Sequence, residues 1–359
     1  MELAIHTLTP LWTGGAEAGK VDRLHETGIL GSLRWWMEAL VRGMGGKACD
    51  PNQGECRLDA EKYEKSRAAD EHQRLRDTGL CDVCQVFGAT GWRRRFRLHI
   101  VEKKVSDARI EHTVSLSNRQ YTDDQGKQRT PIWYFRDPTQ SDQSKPKPST
   151  PKQGLFNIEI QSLDSHFSAE IIAGLVQFVA NWAALGARAQ MGFGVIEPVN
   201  GRIETQALYN WLIARTGSET YSELPSLQNI FLAKIRPKDP NSPFTEQSPF
   251  TLKYDLRQLY ANDQELRHFI MGTVKGERIA AKVKMSRPYG GGLIRVWGWI
   301  PEKATVDQDS WDRDAVVKAI HQHLEANYSL QVWREMNSPR DTATPNIRDA
   351  KVFLRSLLS

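Results

Sequence analysis

The sequence predicts an α+β protein made of two βαββαβ units in tandem, with loop insertions. Two observations carry that prediction. The order strand, helix, strand, strand, helix, strand can be followed through residues 1–200 as the apolar period switches between two and about 3.6. A fainter copy of the same order runs from 250 to 359. This order is the split βαβ pattern of ferredoxin-like (RRM-like) domains. At 359 residues the chain is long enough for two such domains.

In the first unit, residues 2–8 are short and β-like, ended by Pro10. Residues 11–27 are rich in glycine and charge and read as a loop. The stretch 28–44 (GILGSLRWWMEALVRGM) spaces Ile29, Leu33, Trp36 and Leu40 three to four apart, an amphipathic helix in which at least one tryptophan belongs to the core. Residues 45–84 are polar and read as a cysteine-containing insertion, with a short helix at 81–87. FRLHIVEKK, from Phe96, alternates as a strand. Residues 105–153 read as a mobile projecting insertion with one apolar anchor, PIWYF at 131–135. A strand at 155–163, a helix at 169–186 and a strand at 194–199 complete the unit.

Residues 201–249 read as a connector, with a short helix at 205–215 and several prolines. The second unit, 250–359, is read as a strand at 250–256, a helix at 263–271 and strands at 279–286 and 293–300. A helix at 311–326, a strand at 328–334 and a terminal helix at 346–358 follow.

Composition narrows the function. The chain is 40% hydrophobic and 25% charged, the profile of a globular protein. No run of about eighteen apolar residues occurs, so no membrane partner is expected. The N-terminus lacks a secretory signal, and four cysteines are too few for a disulfide scaffold, so a cytoplasmic location is expected.

A net charge of +5 says little, but its distribution says more. Arg93, Arg94, Arg95 and Arg97 fall within five residues. From Arg278 to Pro301 there are five basic residues, Lys282, Lys284 and Arg287 among them, and no acid. Such stretches suggest a polyanion track. FGATGWRRRFRL (87–98) interleaves aromatics with arginines, which suits single-stranded nucleic acid; a solvated sheet edge is the alternative.

Three further motifs have two readings each. GGAEAGK (14–20) matches the start of a phosphate-binding P-loop, but Val21 replaces the metal-binding hydroxyl and no helix start follows, so it is a decoy whose Lys20 can still meet a phosphate. LGARAQMGFG (185–194) sets Arg188 and Gln190 among Gly186, Gly192 and Gly194, either an anion-binding loop or a helix cap followed by a bulge. TGILGSLRWW (27–36) is either a phosphate-binding helix start or a capped core helix. Cys49, Cys56, Cys81 and Cys84 form two pairs in one loop-rich region; they are either the ligands of one structural zinc or buried small hydrophobes.

The segments LTPLWTG (8–14), GILGSLRWW (28–36), FGATGWRRRFRL and LGARAQMGFG together resemble the RAMP (repeat-associated mysterious protein) superfamily, most closely the family of first Cmr subunits of type III-B CRISPR–Cas effector complexes. The motifs lie within the first 200 residues, and the last of them looks like that superfamily's glycine-rich loop. The resemblance implies a non-catalytic RNA-binding subunit, lying beside other RAMP subunits, that contacts the 3′ part of the guide RNA and helps engage complementary target RNA in antiviral defence. It also implies that target cleavage belongs to another subunit. Carried over by motif, its RNA contacts are Lys20, Arg23, Gly31, Arg34, Arg93, Arg94, Arg95, Arg188 and Gln190, and the basic hairpin adds Lys282, Lys284 and Arg287.

Two other readings stay open. A metal-independent RAMP endoribonuclease would need His25 as base and Asp123, Asp124 or Asp137 as acid. An assembly cap would dock a neighbour through the PIWYF patch.

Overall fold

The computed structural model describes residues 1–15, 21–50, 53–54, 56–110, 113–123, 125–134, 150–273, 276, 278–302 and 312–359. Strand β1 (Glu2–Thr7) turns Leu3, Ile5 and Thr7 inward. Helix α1 (Glu26–Gly43) buries Ile29, Leu33, Trp36 and Leu40, the stripe its spacing predicts. Trp36 packs on Phe178 at 5.2 Å between ring centroids, while Trp35 stays partly exposed.

The cysteine-bearing segment folds into α2 (Ala60–Lys65), α3 (Glu71–Asp77) and α4 (Asp82–Phe87). Asp59, Asp70 and Cys81 cap the three N-termini. Strand β2 (Phe96–Asp107) buries Phe96, Leu98 and Ile100. Strands β3 (Thr113–Ser115), β4 (Tyr121–Thr122), β5 (Gln128–Arg129) and β6 (Ile132–Tyr134) form two nested ladders, β3 with β6 and β4 with β5. Strand β7 (Lys152–Ser162), helix α5 (Ala169–Trp182) and strand β8 (Ile196–Pro198) complete the first half. Its sheet has the order β2-β7-β1-β8 and is antiparallel throughout, with α1 and α5 packed on one face.

The second half holds α6 (Gln206–Ile213), β9 (Ile230–Pro237), α7 (Ser248–Gln258), α8 (Gln264–Met271), β10 (Val283–Met285), β11 (Ile294–Trp299), α9 (Arg313–Asn327), β12 (Tyr328–Glu335) and α10 (Ala350–Leu358). Its sheet order is β10-β11-β9-β12, again antiparallel, so both sheets place their strands in the order second, third, first, fourth. The fold is therefore mixed α/β, with two four-stranded antiparallel sheets among the described residues.

Three expectations are corrected. Residues 250–256, expected as a strand, lie in α7; Pro249 stands in its first turn, and Leu252 and Leu256, four apart, are buried. The first strand of the second sheet is β9, inside the segment 201–249 expected as connector. Bonded to β11 on one side and β12 on the other, β9 is buried along most of its length and shows no alternation. The arm over 105–153, expected as a mobile projection, folds back in its described part. Trp133 packs on Phe250 of α7 at 5.6 Å, and Arg119 pairs with both carboxylate oxygens of Asp255 at 2.8 Å. The PIWYF patch thus meets the chain's own second half, with Phe135 outside the described residues.

One apolar core runs through both halves: Leu232, Trp297 and Phe353 share a cluster with Ile5 and Phe156. Helix α10 packs on α5 and α6, and the Trp182 indole N–H donates to the Leu357 carbonyl at 2.8 Å. Arg295 of β11 is 4% exposed and donates to the carbonyls of Ala183 (3.0 Å) and Val179 (3.4 Å) at the end of α5, where a cation is favoured.

Candidate nucleic-acid interface and metal centre

The glycine loop stands where the halves meet. Gly186 has φ +79°, and a Cβ there would lie 2.4 Å from the Trp12 carbonyl oxygen. Gly192 has φ +90°, and its Cβ would lie 2.7 Å from the backbone nitrogen of Arg287. Both glycines are thus required for close approach of backbone to backbone. Ser32 Oγ accepts the Gly186 N–H at 2.8 Å, tying the loop to the first turns of α1. Arg188 holds a left-handed conformation (φ 57°), uncommon for a residue with a side chain, and its guanidinium lies 3.7 Å from the centre of the Trp12 ring.

A cleft lies on each side of this loop. The first, about 350 Å³, is lined by Thr27, Gly28, Gly31 and Ser32 of α1, by Gly186, Ala187 and Ala189 of the loop, and by Lys284, Trp35 and Trp297. The His25 side chain does not cap α1, and the Glu26 carboxylate accepts its own backbone N–H, so the helix start meets this cleft at Thr27 and Gly28. Burial pushes the Lys284 ammonium down to about 8. The second cleft, about 630 Å³, takes Arg188 and Gln190 from the loop, with Lys253 and Arg257 from α7.

The other expected RNA contacts are turned elsewhere. Arg23 pairs with Glu26 at 3.1 Å. Arg34 points at Glu38 (3.0 Å) and at the Cys84 sulfur (3.1 Å). Arg95 is held between Glu71 and Asp164, both at 2.6 Å, and Arg94 donates to the Phe96 carbonyl. Arg93 is exposed, but it borders a separate cleft with Arg94, Arg95, Trp92 and Asp164. Lys282 donates to the Phe269 carbonyl at 3.0 Å, and Arg287 pairs with Glu246. The basic run from Arg278 is therefore mostly interior; its buried members meet carbonyls, rings and a carboxylate supplied by distant segments. Lys20 lies outside the described residues. Lys253, Arg257 and Trp297 escaped sequence reasoning, because nothing local distinguishes a lysine facing a cleft from one facing solvent.

Cys49, Cys56, Cys81 and Cys84 bring their sulfurs within 4.8 Å of one another, with Cys49 and Cys84 3.7 Å apart. A tetrahedral zinc with sulfurs at about 2.3 Å separates its ligands by about 3.8 Å, so the donor set and spacing fit that ion. Hydrogen bonds from Cys56, Cys81 and Cys84, with the Arg34 charge nearby, hold the Cys49 thiol down. Arg34 offsets the negative charge that deprotonated thiols bring.

Of the groups nominated for nuclease chemistry, the described ones have local partners. His25 Nε2 lies 2.7 Å from Asp22 Oδ1. Asp123 is occupied by Arg129 and by the backbone of its own hairpin turn. Asp124 and Asp137 lie outside the described residues. For the P-loop match, the described context is wrong, since α1 begins only at Glu26. No described helix is long and apolar enough to cross a membrane.

Solved structures that match along most of the chain include Cmr1 from Pyrococcus furiosus in its apo form, with 13% identity over 92% of this chain and 93% of that one, at a TM-score of 0.41. Another is a chain of a type III-B Cmr-beta complex bound to cognate target RNA and AMPPnP, with 11% identity over 91% and 99% of the two chains and a TM-score of 0.43. No curated protein sequence matches the chain. The RAMP superfamily model matches residues 4–197, the span that carries β1, α1, α5 and the glycine loop, and the chain belongs to the RAMP superfamily.

Proposed function

We propose that the protein is a non-catalytic RNA-binding subunit of a type III-B CRISPR (Cmr) ribonucleoprotein, built from two ferredoxin-like units in tandem and working in the cytoplasm. It contacts the 3′ part of the guide RNA and helps engage complementary target RNA, beside other RAMP subunits. The observation that carries this reading is the cleft beside α1: the helix start, the glycine loop and Lys284 of the second half converge on one groove walled by Trp35 and Trp297. N–H groups and a cation suit the phosphates, and the partly exposed Trp35 ring suits a base. Contacts of this kind follow backbone and shape and leave sequence to base pairing.

A salt series with short single-stranded RNA tests it. Binding should fall steeply with salt. Lys284→Met should weaken binding about tenfold and flatten the salt dependence by about one, with thermal unfolding held or raised. Unchanged affinity in a folded variant would remove the groove from the RNA path.

The four cysteines would hold one structural zinc, which would pin the insertion to α1. One zinc per chain by elemental analysis, and a fall in Tm on chelation, are the expected results. A metal-independent endoribonuclease is the second reading, favoured only by the close His25–Asp22 pair. Cleavage of guide-complementary RNA by the isolated chain, lost in His25→Ala, would put it first.

A further inference from the structure

The cleft on the far side of the glycine loop differs in character from the one beside α1. Arg188 enters from the loop, while Lys253 and Arg257 enter from α7, one turn apart on the same helix face. No Asp or Glu lines this cleft among the described residues. Lys253 is 8% exposed, and among the described residues its Nζ has neither a hydrogen-bond nor an ion-pair partner. The charge that acts on it comes from Arg257, which repels it. Arg257 donates to the Gly272 carbonyl at 2.8 Å, and Arg188 rests on the Trp12 ring; among the described residues neither meets a carboxylate. A cation this buried, without a counter-charge and beside two others, is strongly unfavourable unless an anion joins it.

The remaining walls say which anion. Trp133, partly exposed, and Met191 line the same cleft, and about 630 Å³ is far more than a bare phosphate needs. We propose that this cleft is a second nucleotide-binding site, which takes a phosphate against Lys253, Arg257 and Arg188 and a base against Trp133. Nucleoside phosphate is the shared chemistry, supplied either by an RNA strand or by a free mononucleotide. The RNA source rests on the function proposed above, and the mononucleotide source does not.

The full chain is tested with two probes, 5′-AMP in equilibrium dialysis and a short single-stranded RNA in a salt series, for wild type, Lys253→Met, Lys284→Met and the double variant. Lys253→Met should lower AMP affinity about tenfold or more, and adenosine should bind wild type weaker by a similar factor. Because the substitution removes an uncompensated buried charge, Tm should hold or rise, separating lost contact from lost fold. If RNA is the source, the losses from Lys253→Met and Lys284→Met multiply and each flattens the salt dependence. If AMP binding falls while RNA binding does not change, the site serves a free nucleotide. AMP and RNA binding both unchanged in folded Lys253→Met overturns the proposal, and a Lys284 effect then leaves the RNA reading standing. RNA binding indifferent to both lysines, with AMP binding still lost in Lys253→Met, overturns the RNA reading and keeps this site. Wild type that binds neither probe overturns both.

Discussion

Asp82 is fully buried, yet it keeps its charge. Burial alone would raise its pKa, but His72 Nε2 at 2.8 Å and Arg76 at 2.6 and 2.7 Å outweigh that and hold it at about 2. The Lys47 N–H completes the set at 2.9 Å. A carboxyl lowered from 3.8 contributes stability that is present above pH 3.8 and lost as pH falls through about 2. Asp82→Ala should therefore cost about 2 kcal/mol in urea unfolding at neutral pH, because it takes the shared partner from half-buried Arg76 and His72. Asp82 also opens α4 directly after Cys81, so the same variant should loosen the four-cysteine cluster. Arg34→Met tests the neighbouring reassignment. If Arg34 serves the thiolates, metal retention should fall about tenfold while RNA affinity holds. A loss of RNA affinity without loss of metal would return Arg34 to the RNA path.

The element that matters most is the glycine loop, because it touches α1, the Trp12 segment and the second half at once. Gly192→Ala faces two penalties: its φ of +90° disfavours any Cβ, and the added carbon would lie 2.6 Å from Arg287 Cγ. Its neighbour cannot retreat, since Arg287 N–H donates to the Gly192 carbonyl at 3.1 Å. A loss of at least about 1 kcal/mol is expected, with weaker RNA binding, as the loop sets the width of both clefts. An unchanged Tm in that variant would mean that the halves are held together by the shared core and α10 alone.

Across the molecule, four of the described lysines carry a depressed pKa. Burial brings Lys234, Lys253, Lys282 and Lys284 to about 8. Below that value they are charged in both states. Between about 8 and the ordinary 10.5 the folded chain holds fewer protons than the unfolded one, so stability rises with pH. The urea midpoint should therefore climb from pH 8 toward pH 9, below the pH of about 10 at which free tyrosines lose their protons. Lys253→Met combined with Lys284→Met should flatten that rise. Bound RNA should stabilise most at neutral pH, where these cations are fully charged.

What the sequence determined by itself is the first half: β1, α1, β2, β7, α5 and β8 follow from periodicities that each segment carries internally, since a one-sided strand and an amphipathic helix announce their buried faces. The glycine loop and the four cysteines were visible as motifs for the same reason. The tertiary structure alone decided the rest. β9 is covered on both faces and shows no alternation, and FTLKYDL alternates in composition yet folds as α7. Most of all, a run of basic residues does not carry its counter-charges with it. Lys282, Arg287 and Arg295 find carbonyls, rings and a carboxylate brought from other segments. Lys253 and Lys284 find clefts instead. A cation's partner is set by which distant segments the fold brings beside it, and composition along the chain does not encode that neighbourhood.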